Sequence, residues 1–522
     1  MKRNGQFIIN AASLAAINIL LRCIGVSFNA YVSAKIGAES MGLFTLVMSV
    51  YGFAVTLAAA GVGIASVRLT AERCATLAAD NASGAEYRRC VRGIMCRCGG
   101  YSLMFALPTA LLLYICSPFI ARHLLGDVRT LLSLRVLSVS IPAISLSSAI
   151  SGYFTGVRKV YKSAGAALTE QAVMIVFTST ALAVTVPRLT DSVEYACLAV
   201  VGGAAATEAV ALVVYLMLYL FDDHRPHRAA VGRGGASVPR THMADVFSIS
   251  LPVAGGALAR QGFSTAEHLC IPWGMKKSGL GGAGAMASYG ILHGMTFPLI
   301  LFPSAVISSA AGLLVPELAE FSALGDSDRI RRTVSDVHRA ALIFSIGCAA
   351  VFFVFSDELG TMVYGSAECA SRIRAMAPLV PVMYFDTAVD CMLKGLGEQV
   401  SSMRINIIDA ASSLALVLLL VPKFGIGGYI VSVYFCETLN CVLSTHRLAR
   451  TSGVAPHLSD VLMPVAAAAF SAFVLSIDAP SRGSLGTVVR IVLFTAVYLG
   501  ISLISEIAGR SRAIRRKVAV EK

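Results

Sequence analysis

Hydrophobic positions in this chain gather into long unbroken runs. Beginning at Phe7, stretches of about 20 apolar residues recur along the whole length, and each is long enough to cross a hydrocarbon core of about 30 Å as a helix. We place about fourteen, at 7–32, 43–66, 99–120, 134–156, 165–186, 195–220, 246–271, 286–313, 339–356, 375–395, 404–422, 426–446, 459–477 and 487–507. The pattern predicts an all-α, polytopic membrane protein. Lys2 and Arg3 ahead of the first run, and the small residues of "AYVSA" near its end, imitate a signal peptide. The apolar stretch is too long for one and many spans follow, so the first run is read as an uncleaved helix.

Composition agrees: of 522 residues, 56% are hydrophobic and 14% charged, with a mean hydropathy of +0.74, whereas soluble domains carry about a quarter charged residues. Basic residues set the orientation. The segments "YRRCVRGIMCR" (87–97), "VRKVYK" (157–162), "RPHRAAVGRGGASVPR" (225–240), "RIRR" (329–332) and "RSRAIRRK" (510–517) all fall on the side of the N-terminus. The positive-inside rule then predicts both termini in the cytoplasm. That placement explains most of the net charge of +13 without nucleic acid, and the basic tail reads as an anionic-lipid anchor. The 13 cysteines are scattered, and Cys96 and Cys98 have neither a second pair nor a His at zinc spacing, so they read as reduced thiols.

The chain also repeats itself. "MGLFTLVMSVYGFAVTLAAAGVGIASVRLTAE" (41–72) aligns without a gap on "YGILHGMTFPLILFPSAVISSAAGLLVPELAE" (289–320), with Gly second and Ala-Glu last in both. "PAISLSSAISGYFTGVRKVYKSAGAALTE" (142–170) aligns on "PVMYFDTAVDCMLKGLGEQVSSMRINIID" (381–409), pairing Pro142 with Pro381, Gly156 with Gly395 and Glu170 with Asp409. A six-helix unit enters the membrane in the same sense twice, so the halves should be related by an axis along the membrane normal. The predicted organisation is a six-helix lobe over 1–222, a polar cytoplasmic linker over 223–243, a second six-helix lobe over 244–450, and two extra helices with the basic tail over 451–522.

The segments "AKIGAESMGLFTLVMSVYG", "SGYFTGVRKVYKSA", "SYGILHGMTFPLILFPSAVISSAAGLLVPELAE" and "LKGLGEQ" resemble the polysaccharide and lipid-linked oligosaccharide flippases, in the branch typified by stage V sporulation protein B. This branch belongs to the superfamily of multidrug, oligosaccharidyl-lipid and polysaccharide exporters. The resemblance implies two parallel six-helix lobes around a central cavity that opens alternately to each side. It also implies outward movement of undecaprenyl-linked sugars or peptidoglycan precursors across the bacterial inner membrane, with no bound cofactor. In the lipid II flippase of this superfamily, cavity arginines come from the first, second and eighth helices. Here Arg22 is on the first, Arg68 lies at the cytoplasmic end of the second, and the eighth offers His293 instead, a departure from the lipid II pattern.

Charges inside the apolar runs are the candidate site. Asn18, Arg22, Gly25 and Asn29 follow spacings of four, three and four, which is one face of a helix. An arginine at membrane depth costs about 2.5–3.5 kcal/mol on insertion scales unless paired or wet. Three readings stay open: a structural pair with Glu208 or helix carbonyls, an anion contact in the cavity, or snorkelling to the outer interface. The seventh run carries Gly256, Arg260, Ser264, Glu267 and His268 as its own stripe. Arg260 fits either an opposite cavity wall or a charge network with Glu267, and Glu267 with His268 fits ion or proton coupling. On the tenth run Asp390 and Lys394 have ion-pair spacing, which leaves Asp386 for a cation or proton. Glu170 and Asp409 read as first-turn carboxylates opposing the helix dipole.

No nucleophile elbow, P-loop, zinc signature or dinucleotide fingerprint occurs, so an enzyme is not supported. The predicted function is a flippase for a lipid-linked sugar, with membrane lipids and a coupling ion, sodium or proton, as partners and a monomer as the default. A cation-coupled drug exporter and a non-transporting scaffold are the alternatives. Cavity arginines favour the first, a dominant buried carboxylate the second, and a neutralised, occluded interior the third.

Overall fold

A computed structural model describes the backbone over 2–79, 83–185, 193–222, 242–476 and 484–520, and side chains over 16–17, 19–77, 83–159, 161–184, 194–222, 242–310, 314–474 and 486–505. All regular structure there is helical, as lipid demands of a chain whose backbone groups must bond internally. In order the helices are α1 (Lys2–Ala59), α2 (Val62–Ala79), α3 (Gly84–Phe119), α4 (Leu131–Gly156), α5 (Val160–Thr185), α6 (Val193–Leu220), α7 (Met243–Lys277), α8 (Gly282–Tyr289), α9 (Phe297–Leu301), α10 (Ser304–Ala323), α11 (Ser327–Val354), α12 (Ser356–Tyr364), α13 (Ala367–Met376), α14 (Val380–Gly395), α15 (Gln399–Ser452), α16 (Leu458–Ser476) and α17 (Ser484–Val520). A π-helical turn, Gly290–Thr296, joins α8 to α9.

Among the described residues, eleven stretches are long and apolar enough to cross a membrane. Two are double: Ile19–Leu77, of 59 residues, and Gln399–Ser452, of 54, would measure roughly 80–90 Å at 1.5 Å per residue. Each is broken at a glycine that L side chains would strain, Gly37 (φ 77, ψ 171) and Gly425 (φ 57, ψ −134). Two others are one span, because Phe302 and Pro303 between α9 and α10 keep helical dihedrals. Adding the shorter Leu458–Val474, and α7, which is long enough but too charged for hydropathy to pick out, restores the fourteen predicted spans. Helix α3 starts 15 residues before its apolar run, held at its head by a capping box in which Ser83 and Glu86 satisfy each other's backbone N–H.

By contacts the chain forms two compact units. One is contiguous, Lys35–Gly290; the other is composite, Met1–Ala34 with Ile291–Lys522. This partition rests on spatial contact and the predicted lobes on internal similarity, and the two divide the chain differently. The linker 223–243 falls almost wholly outside the described residues, as do the side chains of the tail "RSRAIRRK".

In the contiguous unit, buried residues of α2, α3, α4 and α7, among them Val62, Ile94, Tyr101, Tyr153 and Val246, form the core. Hydroxyls satisfy main-chain acceptors inside it: Tyr101 donates to the Ala60 carbonyl at 3.0 Å and Ser66 to that of Ala149 at 2.7 Å. In the composite unit, α10, α11, α14, α16 and α17 enclose Leu318, Val334, Phe385, Met392 and Phe494. The two C-terminal helices dock there through Tyr498, whose hydroxyl donates to the Ile343 carbonyl at 2.6 Å, and through the Arg490–Glu358 (3.7 Å) and Arg339–Asp460 (3.4 Å) pairs.

The repeat is visible as duplicated packing. Gly156 ends α4 where an added methyl would sit 2.8 Å from the Val67 carbonyl oxygen and 2.9 Å from Thr70 Cβ. Gly395 ends α14 with its methyl position 3.1 Å from the Val315 carbonyl oxygen and 3.0 Å from Leu318 Cβ. Val67 pairs with Val315, and Thr70 with Leu318, in the alignment of 41–72 on 289–320. One helix contact is therefore built twice.

Candidate functional site

A cavity of about 510 Å³ lies within the composite unit, in the size range of small-molecule sites. One wall is the first segment of α1, which contributes Leu21, Arg22, Gly25, Val26 and Asn29; the other is Pro298 with Ala305, Ser308 and Ser309 of α10. The α1 residues recur at helical spacing, so one face supplies the wall. A methyl on Gly25 would meet nothing within 4 Å, which leaves that face open beside Arg22.

Arg22 is exposed to this space, and among the described residues no carboxylate or carbonyl pairs with it. Neither Glu208 nor a helix carbonyl is among its hydrogen-bond or ion-pair partners in the described residues. The Asn29 Oδ1 atom is buried without a hydrogen-bond partner, an acceptor that polar company would satisfy. Asn18 belongs to the same predicted stripe, and its side chain lies outside the described residues. Ser308 and Ser309 add hydroxyls that the sequence reading missed, because serines in an apolar span carry no signal of direction.

The second predicted stripe is in the contiguous unit. Arg260 is exposed on α7 without a pairing carboxylate among the described residues, and Ser264 and Glu267 are half-buried. His268 Nδ1 bonds the Tyr289 hydroxyl at 2.9 Å with the rings edge to face. His293, in the π-helical turn, packs against the rings of Phe297 and Tyr429, with centroids 5.1 and 5.4 Å away, and does not line the cavity.

On α14, Asp390 makes the predicted pair with Lys394 at 2.6 Å and also accepts from Ser402. Asp386 accepts from Asn440 Nδ2 at 3.4 Å through one oxygen, while its buried Oδ1 has no hydrogen-bond partner. Asn440 was missed, although a polar residue within an apolar run is the signal that singled out Arg22. Glu170 and Asp409 need a correction. Each lies about ten residues into its helix, α5 or α15, beyond the first turn to which the dipole effect is confined.

Fourteen candidate spans among the described residues make a multi-pass membrane protein, and its fold is that of solved transporters of the MOP superfamily. It is similar over 94% of this chain to the lipid II flippase MurJ in its inward closed conformation, covering 98% of that chain at a TM-score of 0.68 and 12% identity. It is also similar to an inward-facing multidrug resistance MATE family transporter, over 85% of this chain and 100% of that one, at 0.61 and 14%. Residues 7–322 match the polysaccharide biosynthesis protein family, and the chain belongs to it. Stage V sporulation protein B of Bacillus subtilis (strain 168) is 23% identical over 475 residues, 90% of this chain and 89% of that protein.

Proposed function

We propose that this protein carries an undecaprenyl-pyrophosphate-linked oligosaccharide or peptidoglycan precursor from the cytoplasmic to the outer leaflet of the bacterial inner membrane, by alternating access. The observation that carries the reading is Arg22: exposed in a cavity that it lines with Asn29, Ser308 and Ser309, with no acidic partner among the described residues. A guanidinium stays charged and grips phosphate oxygens with two parallel hydrogen bonds. The polyprenyl tail is at home in lipid, so the cavity need shelter only the charged head group. With the inside negative, outward movement of an anion gains about 2.3 kcal/mol per charge per 100 mV. A cavity walled by a cation disfavours cationic drugs.

Both termini lie in the cytoplasm on this reading, following the distribution of Lys and Arg, and the protein works as a monomer. Arg260 is the second candidate head-group contact. Asp386, with its unsatisfied Oδ1 beside Asn440, is the first choice for a coupling sodium ion or proton, ahead of Asp390, which Lys394 neutralises, and of Glu267 and His268.

The test is outward movement of an undecaprenyl-pyrophosphate-linked sugar in proteoliposomes. Arg22→Ala should slow it by about 10- to 100-fold, the worth of a charge-assisted hydrogen bond of about 1.5–3 kcal/mol. Arg22→Lys should recover part of the rate, because it restores charge without the planar fork. Native-like rates in Arg22→Ala would sink the reading.

A further inference from the structure

Three segments of the contiguous unit meet at one end of it. Arg129, in the turn between α3 and α4, holds Glu39 of α1 at 2.9 Å and Asp127 at 2.6 Å. That turn is closed on itself by the Asp127 amide, which donates to the Ala121 carbonyl at 2.9 Å. Lys276, in the last turn of α7, lies against it, with Nζ 3.7 Å from where a methyl on Gly126 would sit. Helices α3 and α7 run in the same direction, in contact earlier along their length through the Tyr101 and Phe247 rings, 5.0 Å apart. Their heads, with the basic segment 87–97, are therefore at the other end, where Arg73 reaches Asp245 at 3.7 Å. On the distribution of Lys and Arg, the end that carries Lys276 faces outward.

Charge at this end is lopsided. Segments 35–39, 122–129 and 273–282 hold five basic residues and two carboxylates, Glu39 and Asp127, and Arg129 occupies both. Lys35, Arg122, Lys276 and Lys277 are exposed, and no carboxylate pairs with any of them among the described residues. The composite unit shows that the fold does not require this. Its loop between the ninth and tenth spans, outward-facing on the same reading, is neutralised: Arg374 pairs with Asp357 at 2.6 Å, Arg372 with Glu368 at 3.2 Å, and Arg490 of α17 with Glu358 at 3.7 Å. Cations on translocated loops also run against the positive-inside rule, so four left unpaired call for an anion from outside the chain.

Trp273, the one tryptophan of the chain, sets the depth. It is half exposed in the last turns of α7, with Lys277 Nζ 5.2 Å from its ring centroid, and a tryptophan at the end of a span sits at the level of the lipid head groups. Phosphate is the anion found at that level, and a lysine ammonium binds it as a point charge. We propose that Lys276 and Lys277, with Lys35 and Arg122 around them, bind the phosphate of an anionic phospholipid in the outer leaflet. The four cations stand on an exposed surface that meets bulk lipid, so mass action favours an abundant phosphodiester over the scarce transported lipid. The site shares its topology with the transport reading and does not depend on the substrate.

The tryptophan is its own probe. The full chain is reconstituted in mixed bilayers of phosphatidylcholine and phosphatidylglycerol, one or the other brominated near the carbonyl end of its acyl chains, and quenching of Trp273 emission reads which lipid sits beside the patch. The native chain should select brominated phosphatidylglycerol over brominated phosphatidylcholine. Lys276→Gln with Lys277→Gln should lower that preference by about 5- to 25-fold, at about fivefold for each lysine facing an anionic lipid. Lys276→Arg with Lys277→Arg should keep it, and so should Arg88→Gln with Arg89→Gln, which removes two exposed cations from the other end of α3. Equal quenching by the two lipids in the native chain overturns the proposal, as does a preference that survives the paired glutamine substitutions at 276 and 277 or that the pair at 88 and 89 abolishes. Undecaprenyl pyrophosphate added as a trace component separates the other source of phosphate: relief of the quenching would give the patch to the transported lipid and overturn the phospholipid assignment. Failure of sugar transport in the same liposomes would remove the proposed substrate and leave the phosphate site standing.

Discussion

Three residues past each of the duplicated glycines the two halves cross-link the same place with opposite charges. After Gly156, Lys159 reaches Asp222, just beyond the end of α6, at 2.7 Å, joined by Lys162 and the Tyr153 hydroxyl. After Gly395, Glu398 takes a bidentate grip from Arg447, near the end of α15, at 2.6–3.0 Å. Lys159 and Glu398 are aligned residues of the repeat. The architecture needs this turn tied to the end of the helix after next, and either polarity serves. Burial separates the two ties: the Asp222 side chain is 2% exposed, while Arg447 and Glu398 are 43% and 22%. Desolvation would raise the Asp222 pKa, but hydrogen bonds from Lys159, Lys162 and Tyr153 outweigh it and bring the group down to about 2. Glu398 is held below its usual range by hydrogen bonds from Ser401 and then Arg447.

The comparison makes four ordered predictions, each read as the thermal midpoint of the detergent-solubilised protein. Asp222→Asn should cost the most, about 3 kcal/mol or more, because it strands two ammonium groups in a poorly solvated site. Gly156→Ala should come next, at about 1–3 kcal/mol, and exceed Gly395→Ala, where the tightest obstacle is a side-chain carbon and not a carbonyl oxygen. Glu398→Gln should cost no more than about 1 kcal/mol, as exposed pairs do. Equal losses at Asp222 and Glu398 would break the argument from burial. The last prediction concerns pH dependence. With its folded pKa depressed from 3.8 to about 2, Asp222 gives stability that is complete above about pH 4 and is lost as pH falls through 2. Asp222→Asn should remove that part of the acid sensitivity.

Much of this frame could be read from the sequence, because membrane helices announce themselves by length and a repeat by its glycines. What escaped is instructive. Helix α7 was recognised as a span despite its charges, but nothing in the periodicity of 7–66 indicated that one helix would run to Gly37 and resume beyond it. Arg22 was legible as a cost that something must offset, whereas its companions Ser308 and Ser309 were not, since a serine in an apolar span carries no signal of direction. His293, picked for its place on the eighth span, sits among rings, because the π-helical turn around it shifts residues off the face that a regular helix would present. The ties at Asp222 and Glu398 lie across loops, where spacing carries no register.

One feature of α3 bears on how the protein can be seen at work. Its first 15 residues precede the apolar run, a stretch of about 22 Å packed into the contiguous core through Tyr87, Val91 and Ile94 and locked at its head by Ser83 and Glu86. A small helical protein grafted in register onto that head would inherit the orientation of the contiguous unit. It would serve as a rigid fiducial for single-particle imaging.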